Sequence, residues 1–417
     1  MAVSHARRVE QLRFVACGSV DDGKSTLIGR LLHDSRALFE DQLEELRRAS
    51  PDGGKTLNLA FLTDGLKAER REGMTIDIAH RYFATPRRRF IVIDCPGHLA
   101  LTRNMLAGAS TADLALLLVD AARGLDDQGR RHALLSSLLR IPRLVVCVNK
   151  MDLADYRPEA FAAVRRSFRE FAAALEIPDV RFVPVSALTG DNVVKKSSRM
   201  PWYQGPSLLR LLEGLPISSR PAGSGLRLPI QGKLWPAPGG NPLYTGRIVG
   251  GELKKGDRLK HLPSGRLVTL RSIEAFAGSL PEAVAAQSVA VALKEDLPLR
   301  RGDMLVGSRA TPRESRGIEV TICWLSGKRL SIRRRYILRH TTREMSCTVT
   351  KIIDRLDLRA MRWRRDAKSL GSNDIGRVRL RTAAPLFYDR YRLNKSTGSL
   401  ILIDERTGET LAAGMIS

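Results

Sequence analysis

A glycine-rich loop between a strand and a helix constrains the fold of this chain more than any other sequence feature. Residues 18–26 read GSVDDGKST and fit the pattern G-x-x-x-x-G-K-[ST]. The loop follows the β-rich apolar run Phe14–Cys17 and opens a segment whose apolar residues recur at helical spacing. Those apolar residues are Leu27, Ile28, Leu31 and Leu32. A strand, a glycine-rich loop and a helix in this order predict a phosphate-binding loop.

The residue types of this loop supply the groups that bind phosphate. Two glycines let backbone N–H groups turn inward, and the helix N-terminus adds positive potential. Lys24 would place a charge between the β- and γ-phosphates, and Ser25 would offer a hydroxyl to Mg²⁺. Lys24 and Asp21 are also candidate catalytic residues, Asp21 through a contact with the attacking water or the backbone. The predicted nucleotide contacts here are Gly18, Ser19, Val20, Asp21, Asp22, Gly23, Lys24, Ser25 and Thr26.

A second element, Asp94-Cys95-Pro96-Gly97, ends another apolar run. An aspartate at the carboxyl end of a parallel strand lies where ligands bind in open α/β sheets. Asp94 would hold Mg²⁺ through water, and the Gly97 N–H would meet the γ-phosphate and sense its loss. His98 follows directly and is a candidate to orient the attacking water, although a lone histidine can also be structural. We therefore predict nucleotide contacts along the whole element, including His98.

Thr75 lies between these two elements, in EGMTID. Its hydroxyl would complete the Mg²⁺ shell in the triphosphate state and release the metal after hydrolysis, which is an order–disorder switch. The alternative is an ordinary strand threonine. The predicted metal ligands are Ser25, Thr75 and Asp94.

A third element predicts which base is bound. The Asp152 carboxylate can accept both N1–H and N2–H₂ of guanine, a donor pair that adenine lacks, so the base would be discriminated strongly. Asn149 and Lys150 would support the loop and cover the base, and a backbone N–H after the next apolar run would reach guanine O6. The predicted base-binding residues are Asn149, Lys150, Met151, Asp152, Ser186, Ala187 and Leu188.

The pattern of apolar residues predicts three domains. Residues 12–186 alternate short apolar runs with helical segments, which is typical of an α/β domain with a mostly parallel sheet. Residues 218–225 have the composition of a linker, and beyond them short strands alternate with turns. We predict an α/β nucleotide-binding domain over 1–217 and two small antiparallel β-barrels over 226–312 and 317–417.

Composition excludes several classes of protein. The five cysteines are scattered without metal-ligand spacing, which fits a reducing compartment. No apolar run approaches the ~18 residues that a membrane span needs, and the first residues lack a signal-peptide pattern. Lys and Arg outnumber Asp and Glu by 69 to 44, a net charge of +25 that would attract nucleic acid, anionic substrates or an acidic partner, or would simply be solvated. A cytoplasmic protein without membrane contact is expected.

The ordered set GSVDDGKST, TID, DCPGH, NKMD and SAL, followed by two barrels, resembles the translation-factor class of GTPases, which includes elongation factor Tu and elongation factor 1-alpha. Longer strings resemble one branch of that class, the GTPase subunits of bacterial sulfate adenylyltransferase, over essentially the whole chain. Among these strings are NLAFLTDGLKAER, MPWYQGPSLL, NDIGRVRLRTAAPLFYD and GSLILIDERTGETLAAGMI.

This resemblance implies an activity and a partner. GTP and Mg²⁺ would be the cofactors, and GTP hydrolysis would drive formation of adenylyl sulfate and pyrophosphate from ATP and sulfate. That second reaction would take place on a small subunit, in a heterodimer or a larger assembly. Relatives with a fused adenylylsulfate kinase carry a second phosphate loop, which this sequence lacks. Nucleic acid is not an expected partner, despite the charge.

Three segments in or near the switch regions depart from the family pattern. Arg71–Asp77 reads REGMTID, with Glu72 and Met74, where the family has R-E-Q-G-I-T-I-D. Leu99-Ala100-Leu101 replaces a polar and aromatic E-Q-Y, and residues 126–129 read DDQG in a V-L-T-Q-T region. Two alternatives stay open. The net charge favours a translation-factor-like GTPase that acts on RNA or the ribosome, and the departures permit a scaffold that binds GTP without hydrolysing it.

Overall fold

The computed structural model describes residues 10–37, 44, 59, 79–95, 109, 111–173, 175–216, 225–235, 241–276, 278–357 and 360–417. The chain divides into two compact units, Met1–Ile217 and Ser218–Ser417.

A six-stranded sheet forms the centre of the first unit, with strand order β2-β3-β1-β4-β5-β6. The strands are β1 (Gln11–Cys17), β2 (Ala79–Ala84), β3 (Arg89–Asp94), β4 (Leu114–Asp120), β5 (Arg143–Asn149) and β6 (Asp179–Pro184). Within this sheet, the adjacent strands β3, β1, β4, β5 and β6 are parallel to one another, and the edge strand β2 runs antiparallel to β3. The predicted mostly parallel sheet is confirmed. Central β4 is buried at every residue, because helices and neighbouring strands leave no side of it exposed.

Four described helices accompany this sheet, namely α1 (Lys24–Asp34), α2 (Asp127–Leu138), α3 (Pro158–Ala172) and α4 (Leu208–Gly214). The apolar stripe of α1 is buried, and it packs in one core with residues of the sheet and of α4. Pro158 begins α3, where its missing N–H costs no hydrogen bond. Helix α3 ends at Ala172.

The second unit contains two closed antiparallel barrels. Its strands are β7 (Arg227–Leu234), β8 (Leu243–Arg247), β9 (Glu252–Lys254), β10 (Arg258–Leu262), β11 (Leu267–Ala275), β12 (Gly278–Leu280), β13 (Glu282–Val284), β14 (Ser288–Leu293), β15 (Met304–Gly307), β16 (Arg313–Trp324), β17 (Arg335–His340), β18 (Arg343–Asp357), β19 (Arg362–Arg364), β20 (Ile375–Tyr388), β21 (Ser399–Ile403) and β22 (Thr410–Ile416). The first barrel runs β10-β15-β7-β8-β14-β11 and closes by β10–β11 pairing. The second runs β17-β21-β22-β16-β20-β18 and closes by β17–β18 pairing. The predicted fold class is therefore confirmed, whereas the residue bounds assigned to the three domains stay a prediction.

Two features of composition have structural counterparts. All five cysteines are free and buried. Within the described part of the chain, none of the helices has the length and apolar character that crossing a membrane requires.

Candidate nucleotide-binding site

The glycines of the phosphate loop are required by its backbone. Gly18 has φ 148°, and a Cβ there would lie 2.8 Å from the Leu118 carbonyl oxygen. Gly23 has φ 88°, and a Cβ there would lie 2.5 Å from Asn149 Nδ2. Helix α1 begins at the next residue, so its N-terminus faces the space that the loop encloses.

Lys24 is the buried cation of this loop. Its side chain is 7% exposed, and Nζ donates to the carbonyl oxygens of Gly18 (3.1 Å) and Ser19 (2.8 Å). Burial lowers the pKa of Lys24, and the nearby carboxylates of Asp94 and Asp22 oppose that shift. A buried ammonium held by loop carbonyls is well placed to exchange them for phosphate oxygens.

The two aspartates of the loop differ in their surroundings. Asp22 is buried and accepts the Ser19 N–H at 2.7 Å, so its carboxylate braces the loop from within. Burial raises the pKa of Asp22 to about 6. Asp21 is exposed, with φ 71°, and is the acidic side chain of the loop that solvent reaches.

Oxygen donors suited to Mg²⁺ lie at the carboxyl edge of the sheet. Asp94 ends β3 and is 1% exposed, and Ser25 lies in the first turn of α1. A hydroxyl and a carboxylate are the ligand types that this ion prefers. The remaining switch residues of the predictions lie outside the described residues; they are Glu72, Met74, Thr75, Pro96, Gly97, His98, Leu99, Ala100 and Leu101.

Asn149 links the phosphate loop to the base-binding element. Its Nδ2 donates to the Asp22 carbonyl oxygen in the phosphate loop at 2.7 Å. Its Oδ1 accepts the Ala187 N–H at 2.9 Å, so that predicted donor to guanine O6 is engaged within the protein. The structure therefore brings the first and third elements together at one edge of the sheet.

Lys150 is positioned by its own partner. It has φ 60°, and its Nζ lies 3.0 Å from Asp120 Oδ2. Burial raises the pKa of Asp120, but hydrogen bonds from Lys150 and from the Ala122 and Arg123 amides outweigh it and lower the pKa overall.

Asp152 carries the most informative atom of the site. Its Oδ1 is buried and accepts no hydrogen bond from any residue that the structure describes. A buried carboxylate oxygen without a donor is costly unless a ligand supplies one. Leu188, the last of the predicted base contacts, is 60% exposed and offers an apolar surface at the same edge.

Three residues that sequence reasoning missed also contact the site. Arg30 on α1 donates from Nε to the Ala187 carbonyl oxygen (3.1 Å) and from Nη2 to that of Leu188. Asp126 and His132 of the α2 segment contact Ser19 and Gly18. No local pattern marks these residues, because each acts across more than 100 positions of sequence.

Comparison with known proteins places the chain in a family. The elongation factor Tu GTP binding domain matches residues 10–219, and the GTP-eEF1A C-terminal domain-like family matches residues 317–417. Sulfate adenylyltransferase subunit 1 of Laribacter hongkongensis is 46% identical over 97% of this chain and 85% of its own length. Its counterpart in Chromobacterium violaceum is 43% identical over 99% of this chain and 87% of its own length. The bifunctional enzyme CysN/CysC of Mycobacterium tuberculosis (strain CDC 1551 / Oshkosh) is 46% identical over 97% of this chain and 67% of its own length.

Fold and site together define a phosphate-loop GTPase of the elongation factor Tu type. Within that class, the chain belongs to the family of sulfate adenylyltransferase subunit 1. Family membership favours a GTPase subunit of sulfate adenylyltransferase over a translation factor acting on RNA or the ribosome.

Proposed function

We propose that this chain binds and hydrolyses GTP with Mg²⁺, and that hydrolysis drives a separate small subunit to form adenylyl sulfate and pyrophosphate from ATP and sulfate. The name of the relatives, subunit 1, supports a partner subunit in a heterodimer or a larger assembly. We place this assembly in the cytoplasm, in keeping with five free, buried cysteines.

The observation that carries the proposal is the unpartnered Oδ1 of Asp152. Guanine presents an N1–H and an N2–H₂ side by side, and both would be accepted by this carboxylate. Adenine would leave the buried oxygen without a donor, and such a mismatch discriminates by ~10⁴ or more. Selection of guanine therefore accounts for an oxygen that the described residues leave without a donor.

The same arrangement assigns roles at the phosphate end. Lys24 would leave the loop carbonyls and neutralise the β- and γ-phosphates. Ser25 and Thr75 would hold Mg²⁺ directly and Asp94 through water, and the ion would neutralise charge on the phosphate oxygens. Gly97 would meet the γ-phosphate through its N–H, and His98 would orient the attacking water.

Coupling needs a difference between two states. A mixed anhydride of phosphate and sulfate is costly to form, so the partner must bind the GTP and GDP forms of this chain with different affinity. The residues that change between these forms would be the segments around Thr75 and Gly97.

One assay tests the proposal. GTP hydrolysis and adenylyl sulfate formation are measured together, with the chain alone and with the small subunit from the same source, ATP and sulfate. We expect each reaction to stimulate the other. Nucleotide binding with no mutual stimulation would contradict the proposal and would favour the scaffold alternative.

A further inference from the structure

Helix α2 reaches the first peptide of the phosphate loop through a buried histidine. The Gly18 N–H lies 3.0 Å from His132 Nδ1, and both residues are buried. We propose that His132 is a positioning residue of the nucleotide site, which holds the Gly18 peptide in the orientation that binds phosphate by accepting its N–H. This inference rests on the proposed GTP site and adds a residue that contacts the loop rather than the nucleotide.

The protonation state of His132 follows from the contact. A backbone N–H can only donate, so Nδ1 must be unprotonated, and the proton of the neutral ring lies on Nε2. His132 Nε2 lies 3.0 Å from Gln128 Nε2. In this tautomer the ring N–H donates to the Gln128 amide with the amide oxygen turned toward the ring, since the oxygen and nitrogen of an amide exchange places by a flip. Burial, together with the charges of Lys24 and Arg131, lowers the pKa of His132 to about 3, so the ring stays neutral near pH 7.

The backbone of Gly18 is held at both of its polar atoms, which belong to two successive peptide groups. His132 Nδ1 accepts the Gly18 N–H, and Lys24 Nζ donates to the Gly18 carbonyl oxygen at 3.1 Å. When Lys24 turns to a phosphate, the bond to His132 remains as the side-chain contact that keeps the peptide in place. The histidine therefore preorganises the loop in the state in which the lysine is occupied elsewhere.

A second contact from the same segment strengthens this reading. Asp126 caps α2 by accepting the Gly129 N–H at 2.7 Å through Oδ1, and its Oδ2 accepts the Ser19 hydroxyl. Asp126 belongs to the DDQG segment in which this chain departs from the family pattern. Residues of the first two turns of α2 and its cap thus contact two consecutive residues of the loop. A substitution at Asp126 or His132 is therefore expected to alter the loop that binds the phosphates.

The test compares variants of the full chain by calorimetric titration with GTP and with GDP. His132→Leu removes the acceptor and leaves a buried N–H unpaired, so both affinities are expected to fall by about 10-fold. His132→Asn places an amide oxygen near the position of Nδ1, and its affinities are expected within about 3-fold of the wild type. Ser136→Ala is the matched control, because it deletes a buried hydrogen bond of the same helix, from Oγ to the His132 carbonyl oxygen, without touching the loop.

The difference in nucleotide affinity between His132→Leu and His132→Asn decides whether His132 positions the loop. Wild-type affinity in His132→Leu, or an equal loss in His132→Asn and His132→Leu, would overturn the assignment. If His132→Leu does not fold, His132→Gln replaces it, since its amide oxygen lies nearer the position of Nε2 and the same loss is expected. Lys24→Ala reports on the GTP site itself. If the wild type and Lys24→Ala bind GTP equally poorly, the proposed function fails; if only Lys24→Ala is weakened, the role of His132 alone fails.

Discussion

Buried charge is organised differently at the phosphate loop and between the two barrels. In the second unit, Arg227 on β7 and Asp389 after β20 form two hydrogen bonds of 2.9 Å each, and both side chains are at least nine-tenths buried. Asp389 also accepts from the Thr397 hydroxyl at 2.7 Å, and Arg227 donates to the Ala310 carbonyl oxygen. Each charge there meets its opposite within the protein.

At the phosphate-loop end of the first unit, the buried charged groups are not paired in this way. Lys24 rests on two carbonyl oxygens rather than on a carboxylate, and Asp152 Oδ1 accepts no bond from the described chain. Burying charge without full pairing costs free energy, and a protein tolerates it where a ligand completes the set. Between these two clusters, the difference lies in how completely the buried polar groups are paired rather than in how many there are.

Removing one member of the paired cluster gives the largest expected effect on stability. Arg227→Ala leaves Asp389 buried without its counter-charge, so the free energy of unfolding of the second unit should fall by about 3–5 kcal/mol. Urea unfolding measures this change, and GTP affinity should stay at the wild-type value. The double variant Arg227→Met/Asp389→Leu should regain most of the loss. A single variant as stable as the wild type would show that the pair is not what the geometry indicates.

Removing the buried cation of the loop should lower GTP affinity and leave stability unchanged, the reverse of the effect of Arg227→Ala. Lys24→Ala deletes the counter-charge of the phosphates, and GTP affinity should drop by roughly 10²–10³-fold. The free energy of unfolding in the absence of nucleotide should not fall, because a partly satisfied buried charge has been taken away. Titration calorimetry and urea unfolding separate the two readouts. Unchanged affinity would remove the phosphate-loop assignment.

His98→Ala separates nucleotide binding from hydrolysis within the site. We expect hydrolysis of bound GTP to slow by about 10²-fold, as for a positioned acid–base or water-orienting group. Binding of GTP should change little, because His98 is predicted to act on the water. Single-turnover kinetics checks this prediction, and equal rates in the variant and the wild type would make His98 structural.

The smallest expected effect concerns pH. His132 has a folded-state pKa of about 3, whereas in the unfolded chain it titrates near 6.5, so the unfolded state gains a proton first as pH falls. Its contribution to stability is present above pH 6.5 and declines by at most about 1.4 kcal/mol per pH unit below it. Asp22 acts in the opposite direction, because its pKa is raised.

Urea unfolding at pH 7.5 and 5.5 isolates the histidine when the wild type is compared with His132→Asn. The wild type should lose more stability than the variant over that interval. The same loss in both proteins would mean that His132 is not buried as a neutral ring.

Much of the fold could be predicted, because its signals are local. The apolar runs of the parallel strands, the stripe of α1 and Pro158 at the start of α3 each appear within a few residues of sequence. Strand β2 was missed, since its edge position leaves five of its six residues exposed or half-exposed and gives no continuous apolar run.

The candidate site was predictable only where its residues fall in one short motif. GSVDDGKST and NKMD carry their chemistry in their own spacing, and the structure brings them together through Asn149. Arg30, Asp126 and His132 act through space on loops far away in sequence. Their contributions depend on how helices pack against the sheet, which no residue pattern in a single sequence states.

The most direct test of the central claim, that the site is completed by guanine, is competition between GTP and xanthosine triphosphate on the wild type and on Asp152→Asn. The wild type should prefer GTP strongly, by a factor on the order of 10⁴. Asp152→Asn should shift that preference toward xanthosine triphosphate, because the asparagine amide donates where the carboxylate accepted. If Asp152→Asn kept the wild-type preference for GTP, Asp152 Oδ1 would not be the atom that recognises the base, and guanine would not complete this site.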